Sequence, residues 1–115
     1  MLSEDALVRA LERAGLSAPV RFEEVTASTQ ATALEMAAAG TPEWTLVAAG
    51  HQTQGRGRLG RTWLDEPGRA LMFSFVLRPE LDPGSGGLLT LLAGTALASA
   101  SSELADQRTA CTWPN

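Results

Sequence analysis

The chain of 115 residues contains no lysine; all nine of its basic side chains are arginine. No residue can therefore form a Schiff base or serve as a lysine clamp on phosphate. Any cationic site must be built from guanidinium, which stays charged and grips phosphate or carboxylate as a planar fork. Cysteine is almost absent as well. The lone Cys111 excludes an intramolecular disulfide framework and fits a reducing compartment. Positive charge is in the minority, with a net charge of −4 at pH 7, which argues against a bulk polyanion binder. The acidic start, Met1-Leu2-Ser3-Glu4-Asp5, lacks the basic residues and apolar run of a secretory signal. Between Gly84 and Ser102 there is no charge at all, over close to the ~20 residues that a membrane span needs. That stretch is interrupted by Gly84, Gly86, Gly87, Gly94 and several Ser and Thr. It reads as a buried helix of a soluble protein, and the expected location is cytoplasmic.

What is present is material for one core. Hydrophobic residues make up 44%, enough to exclude wholesale disorder, and the length suits one domain. Residues 3–14 predict a helix with Ser3 as N-cap, Glu4 and Asp5 at its positive end and Gly15 as its stop. Leu2, Ala6, Leu7, Ala10, Leu11 and Ala14 recur at helical spacing on one face. Residues 20–25 predict a short strand with Val20 and Phe22 on one side. Ser28 and Thr29 open a second, Ala-rich helix that runs through Ala39 and stops at Gly40. Apolar strands are expected over 45–49 and 70–77, a turn over 83–87, a third helix over 88–105 and a last strand over 109–113. Helices and strands alternate, which predicts an α/β (α+β) fold with helices packed on a sheet. No repeat and no domain linker is visible. A strand ending at Trp113-Pro114-Asn115 suggests a fragment of a longer protein.

The informative segment is the loop over residues 50–63. Arg56, Arg58 and Arg61, with no acid, make it locally +3 inside an acidic chain. Gly55, Gly57 and Gly60 allow close backbone approach to a ligand. The physical expectation is a loop that is mobile when empty and closes on an anion, with phosphate favoured by the guanidinium geometry. Gly55-x-Gly57-x-x-Gly60 formally matches a dinucleotide fingerprint, but Asp65, Pro67 and Gly68 stand where a helix should open. A kinase-type glycine loop lacks its lysine and the rest of its motif set. An Arg-Gly-Arg entry into a DNA minor groove has little other basic surface to support it. A solvated loop without a ligand is the remaining alternative.

The run Gly55-Arg56-Gly57-Arg58-Leu59-Gly60-Arg61-Thr62-Trp63 resembles the GRGRxGRxW loop of biotin protein ligases. Other segments resemble that family in the same order: Ser28-Thr29-Gln30 at a strand-to-helix junction, and Gln52 three residues before the loop. Gly68-Arg69-Ala70-Leu71-Met72-Phe73-Ser74-Phe75 and Trp113-Pro114-Asn115 follow after it. The resemblance covers about residues 23–115. It implies a mixed β-sheet packed with helices, of the kind shared by class II aminoacyl-tRNA synthetases and biotin and lipoate ligases. It also implies that biotin and ATP with Mg2+ form biotinyl-5′-adenylate. The biotinyl group then passes to a lysine of a biotin carboxyl carrier protein domain of acetyl-CoA carboxylase or a similar carboxylase.

Carried onto this chain, the resemblance places Ser28, Thr29, Gln30, Gln52, Arg56, Gly57, Arg58 and Asn115 against biotin or the adenylate. Arg56 and Arg58 would serve as the catalytic cations. Gly55, Gly60 and Arg61 would support the loop, and Trp63 would be a packing anchor. Ser28 is also read as an ordinary N-cap. His51 has no evident sequence partner and is read as a loop residue, Cys111 as a small buried residue. The family's lysine before Trp-Pro-Asn is Thr112 here, and its following Asp and its later Lys are not in the sequence. The expectation is therefore a partial catalytic domain that is inactive alone, with no resident metal ligands, no DNA-binding domain, and no nucleic-acid or membrane partner. The alternatives are a non-catalytic remnant that binds biotin or a carrier, and a lipoate or octanoyl ligase of the same fold.

Overall fold

The computed structural model describes residues 2–110 and falls into two compact units, Met1–Arg78 and Pro79–Asn115. In the first unit, α1 (Glu4–Arg13) starts where predicted. The Ser3 hydroxyl accepts the Ala6 N–H at 3.2 Å, with Glu4 and Asp5 in the first turn. Gly15, at φ +79°, ends the helix, and the Leu16 N–H returns to the Leu11 carbonyl. Strand β1 (Val20–Glu23) follows, shorter than the predicted 20–25; Val25 beyond it is exposed. Helix α2 (Thr29–Ala38) is capped by Ser28, whose hydroxyl accepts the Ala31 N–H at 3.4 Å, and Gly40 turns away at φ +90°. Strand β2 (Leu46–Ala49) is buried at every residue.

Next come β3 (Gly55–Arg56) and β4 (Thr62–Trp63), an antiparallel pair with Gly55 opposite Trp63 and Arg56 opposite Thr62. The segment read as a plain loop therefore contains a small hairpin. Its tip is a 3-10 turn, Arg58–Gly60, with Leu59 at φ +57° and Gly60 at φ +72°. The Gly57 N–H donates to the Arg61 carbonyl at 2.7 Å and closes it. The glycines thus sit in a hairpin and open no helix, which disposes of the dinucleotide reading.

Strand β5 (Met72–Phe75) completes a three-stranded sheet of order β1-β2-β5. β1 runs parallel to β2 and β5 antiparallel to it, so the sheet is mixed as predicted. The central strand explains its own sequence. Leu46 and Ala48 face Leu7 and Leu11 of α1, joined by Val20, Phe22 and Phe75; Val47 faces Ala33 of α2 together with Val76. With both faces covered, alternation has no polar side and the run becomes wholly apolar. Full burial of a side chain such as Val47, only 1% exposed, contributes roughly 1.5–3 kcal/mol.

One clamp was not legible beforehand. Arg78 donates from Nε and Nη2 to the Thr41 carbonyl (2.9 and 2.5 Å) and from Nη2 to the Ala37 carbonyl (2.9 Å). A guanidinium thus satisfies carbonyls at the negative end of α2. Beside it Trp44 is held at φ +70° by its N–H bond to the Val76 carbonyl (2.8 Å) and an edge-on contact with Phe75 at 5.6 Å.

The second unit holds a 3-10 turn, Pro83–Ser85, and α3 (Gly87–Ala105). The helix forms as predicted, but none of its residues is buried, contrary to the expected core helix. It is apolar around its whole circumference, and within its own unit no described element covers it. By length and hydropathy Pro83–Ala105 is long enough to cross a membrane, a test that core helices of soluble proteins also pass. The predicted strand over 109–113 does not begin at Thr109. Its hydroxyl donates to the Ala98 carbonyl (2.7 Å), and its N–H donates to the Ser102 hydroxyl (3.0 Å), folding the chain back on α3. Cys111, Trp113 and Asn115 lie outside the described residues.

Candidate functional site

The sheet brings two sequence-distant segments side by side. Thr26 and Gln52 form a parallel bridge just past the ends of β1 and β2. The Thr53 and Gln54 N–H groups donate to the Thr26 and Ala27 carbonyls at 2.9 and 2.8 Å. This zipper delivers Gln52 to the first turn of α2. Its Oε1 accepts from the Thr29 N–H at 2.8 Å and from the Thr29 hydroxyl at 3.1 Å. A helix start leaves its first N–H groups without partners inside the helix, and Gln52 takes one of them. Thr29 is 4% exposed, so these bonds are largely shielded from water.

From the other side β5 contributes Ser74. Its hydroxyl lies 2.9 Å from Thr29 Oγ1 and 3.2 Å from Gln30 Oε1. Two hydroxyl protons must serve three contacts, those of Thr29 with Gln52, Thr29 with Ser74 and Ser74 with Gln30. Gln30 is the exposed member and the one whose side chain can turn to a ligand.

These groups surround a cleft of about 420 Å3. Ser28, Thr29, Gln30, Gln52, Gln54 and Ser74 supply polar atoms, Ala27, Ala31 and Leu34 an apolar wall, and Arg56 one positive charge. No carboxylate is among its lining residues. Arg56 also borders an adjoining depression of about 280 Å3 with Trp63, Leu71, Met72 and Phe73. The arrangement suits a ligand with an amide-like polar head, an aliphatic body and an anionic end. Among the described residues no three His, Cys, Asp or Glu side chains converge to hold a metal ion.

Five residues singled out in the sequence therefore meet at one place: Ser28, Thr29, Gln30, Gln52 and Arg56. Gly57, Arg58 and Arg61 do not line the cleft; they form the far end of the hairpin. Gly55 supports the hairpin by its size. A Cβ there would lie 2.8 Å from the Trp63 carbonyl oxygen and 3.1 Å from Gln52 Nε2. Trp63 is 56% exposed, so its place in β4, and not burial of its ring, anchors the loop. Sequence reasoning missed Ser74 and Gln54. A signal existed for Ser74: it shares a strand face with buried Met72 and Val76, where a hydroxyl is out of pattern. His51 was read as an unpartnered loop residue. The structure pairs it with Asp65, 2.9 Å from Nδ1 to Oδ2, across the length of the hairpin.

A mixed sheet with a polar-edged cleft over a helix start, bordered by a Gly-Arg hairpin, is a candidate ligand site. Residues 22–115 match the Biotin/lipoate A/B protein ligase family. The chain is 38% identical over 114 residues to the bifunctional ligase/repressor BirA of Bacillus subtilis (strain 168), and 37% identical to that of Bacillus spizizenii. Each alignment covers 99% of this chain and 35% of the relative. The crystal structure of biotin protein ligase from Leishmania major in complex with biotin superposes with a TM-score of 0.66 at 30% identity. That match covers 76% of this chain and 35% of the other. The chain belongs to the biotin/lipoate A/B protein ligase family. It spans about a third of the length of the relatives it matches.

Proposed function

We propose that the chain is the biotin-recognising part of a biotin–protein ligase. In this reading biotin and ATP form biotinyl-5′-adenylate and pyrophosphate, and the biotinyl group passes to a lysine amine of a biotin carboxyl carrier protein domain with release of AMP, in the cytoplasm. The single observation that carries the reading is the convergence of Ser28, Thr29, Gln30, Gln52 and Arg56 on one 420 Å3 cleft. The ureido head of biotin is a rigid amide-like group that exchanges hydrogen bonds with hydroxyls and carboxamides. Its carboxylate is an anion that a guanidinium can meet.

Adenylate formation brings a carboxylate to attack an α-phosphate, both negatively charged. Arg56, at the cleft, offsets that repulsion, and Arg58 and Gly57 close over the mixed anhydride from the hairpin. Fixed cations act where charge develops and keep water from the product. The enzyme supplies no nucleophile. In this reading Mg2+ enters with ATP, bound to its phosphates. No DNA contact is part of the proposal.

Lipoate or octanoate ligation is the second reading, because the matched family is named for lipoate as well as biotin. The carboxamides of Gln30 and Gln52 at the cleft favour biotin, because a ureido head can hydrogen-bond to them and an alkyl chain cannot. Calorimetric titration of the chain with biotin, lipoate and octanoate tests this. Saturable binding of biotin, and of neither lipoate nor octanoate, is expected, and Arg56→Ala should weaken binding of biotinyl-adenylate at least tenfold. Preferential binding of lipoate or octanoate would overturn the assignment.

A further inference from the structure

Gln52 holds its amide in one orientation only if its backbone is also held. Its side-chain oxygen accepts two bonds from Thr29. What Gln52 can still offer to a ligand is the other end of the amide, the NH2 group, which is a donor. The aim of that donor depends on where the main chain of residue 52 sits.

That main chain is gripped by a buried carboxylate. The Asp65 side chain is 1% exposed. One oxygen accepts the Gln52 backbone N–H at 3.3 Å, and the other lies 2.9 Å from His51 Nδ1. Asp65 thus ties together two consecutive residues fourteen and thirteen positions before it, after the chain has run out along β3 and back along β4. The sequence between Asp65 and Gln52 is the arginine-bearing hairpin itself. The carboxylate closes the base of that hairpin and locates Gln52 by the same two bonds. His51 is 26% exposed in its side chain and borders a separate apolar depression with Phe22, Val25 and Pro67. Neither Asp65 nor His51 lines the cleft.

We propose that Asp65, with His51, is a positioning residue for ligand recognition: it pins the Gln52 main chain so that the Gln52 amide donor meets the polar head of the ligand. This rests on the reading of the cleft as a biotin site. Asp65 touches no ligand, and its effect passes entirely through Gln52.

The experiment is a double-mutant cycle on the 115-residue chain, with biotin as probe, read by calorimetry. Gln52→Ala and Asp65→Ala are each expected to weaken biotin binding about tenfold, the scale set by one unsatisfied buried hydrogen-bonding group. The decisive arm is Asp65→Ala in the Gln52→Ala background. There the proposal expects no further loss, within about twofold, because the residue through which Asp65 acts is already gone. Asp65→Asn is the rescue variant. Its amide oxygen can still accept the Gln52 N–H and its NH2 can donate to His51 in the other tautomer, so binding within about threefold of the parent is expected. An equal loss from Asp65→Ala with and without Gln52 overturns the proposal, as does failure of Asp65→Asn to rescue. If Asp65→Ala does not fold, the same cycle is run with His51→Ala, which removes one of the two donors; equal losses in both backgrounds overturn the proposal there too. Absence of biotin binding by the parent chain instead overturns the underlying reading of the cleft, an outcome distinct from each of these.

Discussion

Replacing the three hairpin glycines by alanine, one at a time, separates what the fold demands from what a ligand demands. Gly55 is buried in β3, and an alanine methyl there would meet the Trp63 carbonyl oxygen at 2.8 Å and Trp63 Cβ at 3.3 Å. Both belong to the paired strand, so neither can swing away. The strands must separate or Gln52, whose Nε2 lies 3.1 Å from the same point, must move. Overpacking of this kind costs roughly 1–3 kcal/mol. Gly60 has open space around it but sits at φ +72°, where a side chain costs about 1–2 kcal/mol. Gly57 is different. Its φ is −98°, and its nearest neighbour would be Arg61 Cβ at 3.5 Å, an ordinary contact. Gly57→Ala should leave stability unchanged, or raise it by about 0.4–1 kcal/mol through the unfolded chain. Thermal unfolding of the first unit reads these differences, since 1 kcal/mol moves the midpoint of a domain this size by about 4–8 °C. The expected order is Gly55→Ala least stable, Gly60→Ala intermediate and Gly57→Ala equal to the parent. If Gly57→Ala then loses affinity for biotinyl-adenylate while keeping its melting temperature, the glycine is there for the ligand. A Gly57→Ala midpoint as low as that of Gly55→Ala would refute the reasoning, because the hairpin would then be tighter at its tip than its geometry states.

Other outcomes can be checked alongside. Ser28→Ala should cost about 1 kcal/mol as a lost helix cap, whereas Ser28→Asp keeps the cap but sets a negative charge in the cleft; urea unfolding should show the second variant more stable than the first, and calorimetry should show it binding biotin less well. Thr29→Val removes a 4%-exposed hydroxyl that touches both Gln52 and Ser74; a loss of about 1–2 kcal/mol by urea denaturation is expected, and a neutral result would mean that the hydroxyl network contributes little. Arg78→Ala removes the donors to the Ala37 and Thr41 carbonyls and should lower stability by about 1 kcal/mol. Arg78→Lys should recover only part of that in the same assay, having no planar fork. Substituting Leu92, 65% exposed on α3, by Glu should reduce binding of an apolar fluorescent dye by the purified chain, and unchanged fluorescence would contradict the exposed character of that helix.

Local signals carried far in this chain. Ser3, Gly15, Ser28 and Gly40 marked both helices of the first unit to within a residue, because capping depends on residues one turn apart. The all-apolar run of β2 announced a strand covered on both faces. Ser28, Thr29, Gln52 and Arg56 could be named from their motifs, since each motif is a short string. What no string contains is which strings meet. Strand pairing across β2 sets Gln52 against Thr29, brings Ser74 across from β5, and returns Asp65 to His51 after the hairpin. These contacts depend on the register of a mixed sheet, and a slip of one residue would turn every side chain to the other face. For the same reason the burial of α3 was not readable. Composition established that the helix is apolar, but what lies against an apolar surface is decided by packing between elements, which only the tertiary structure records.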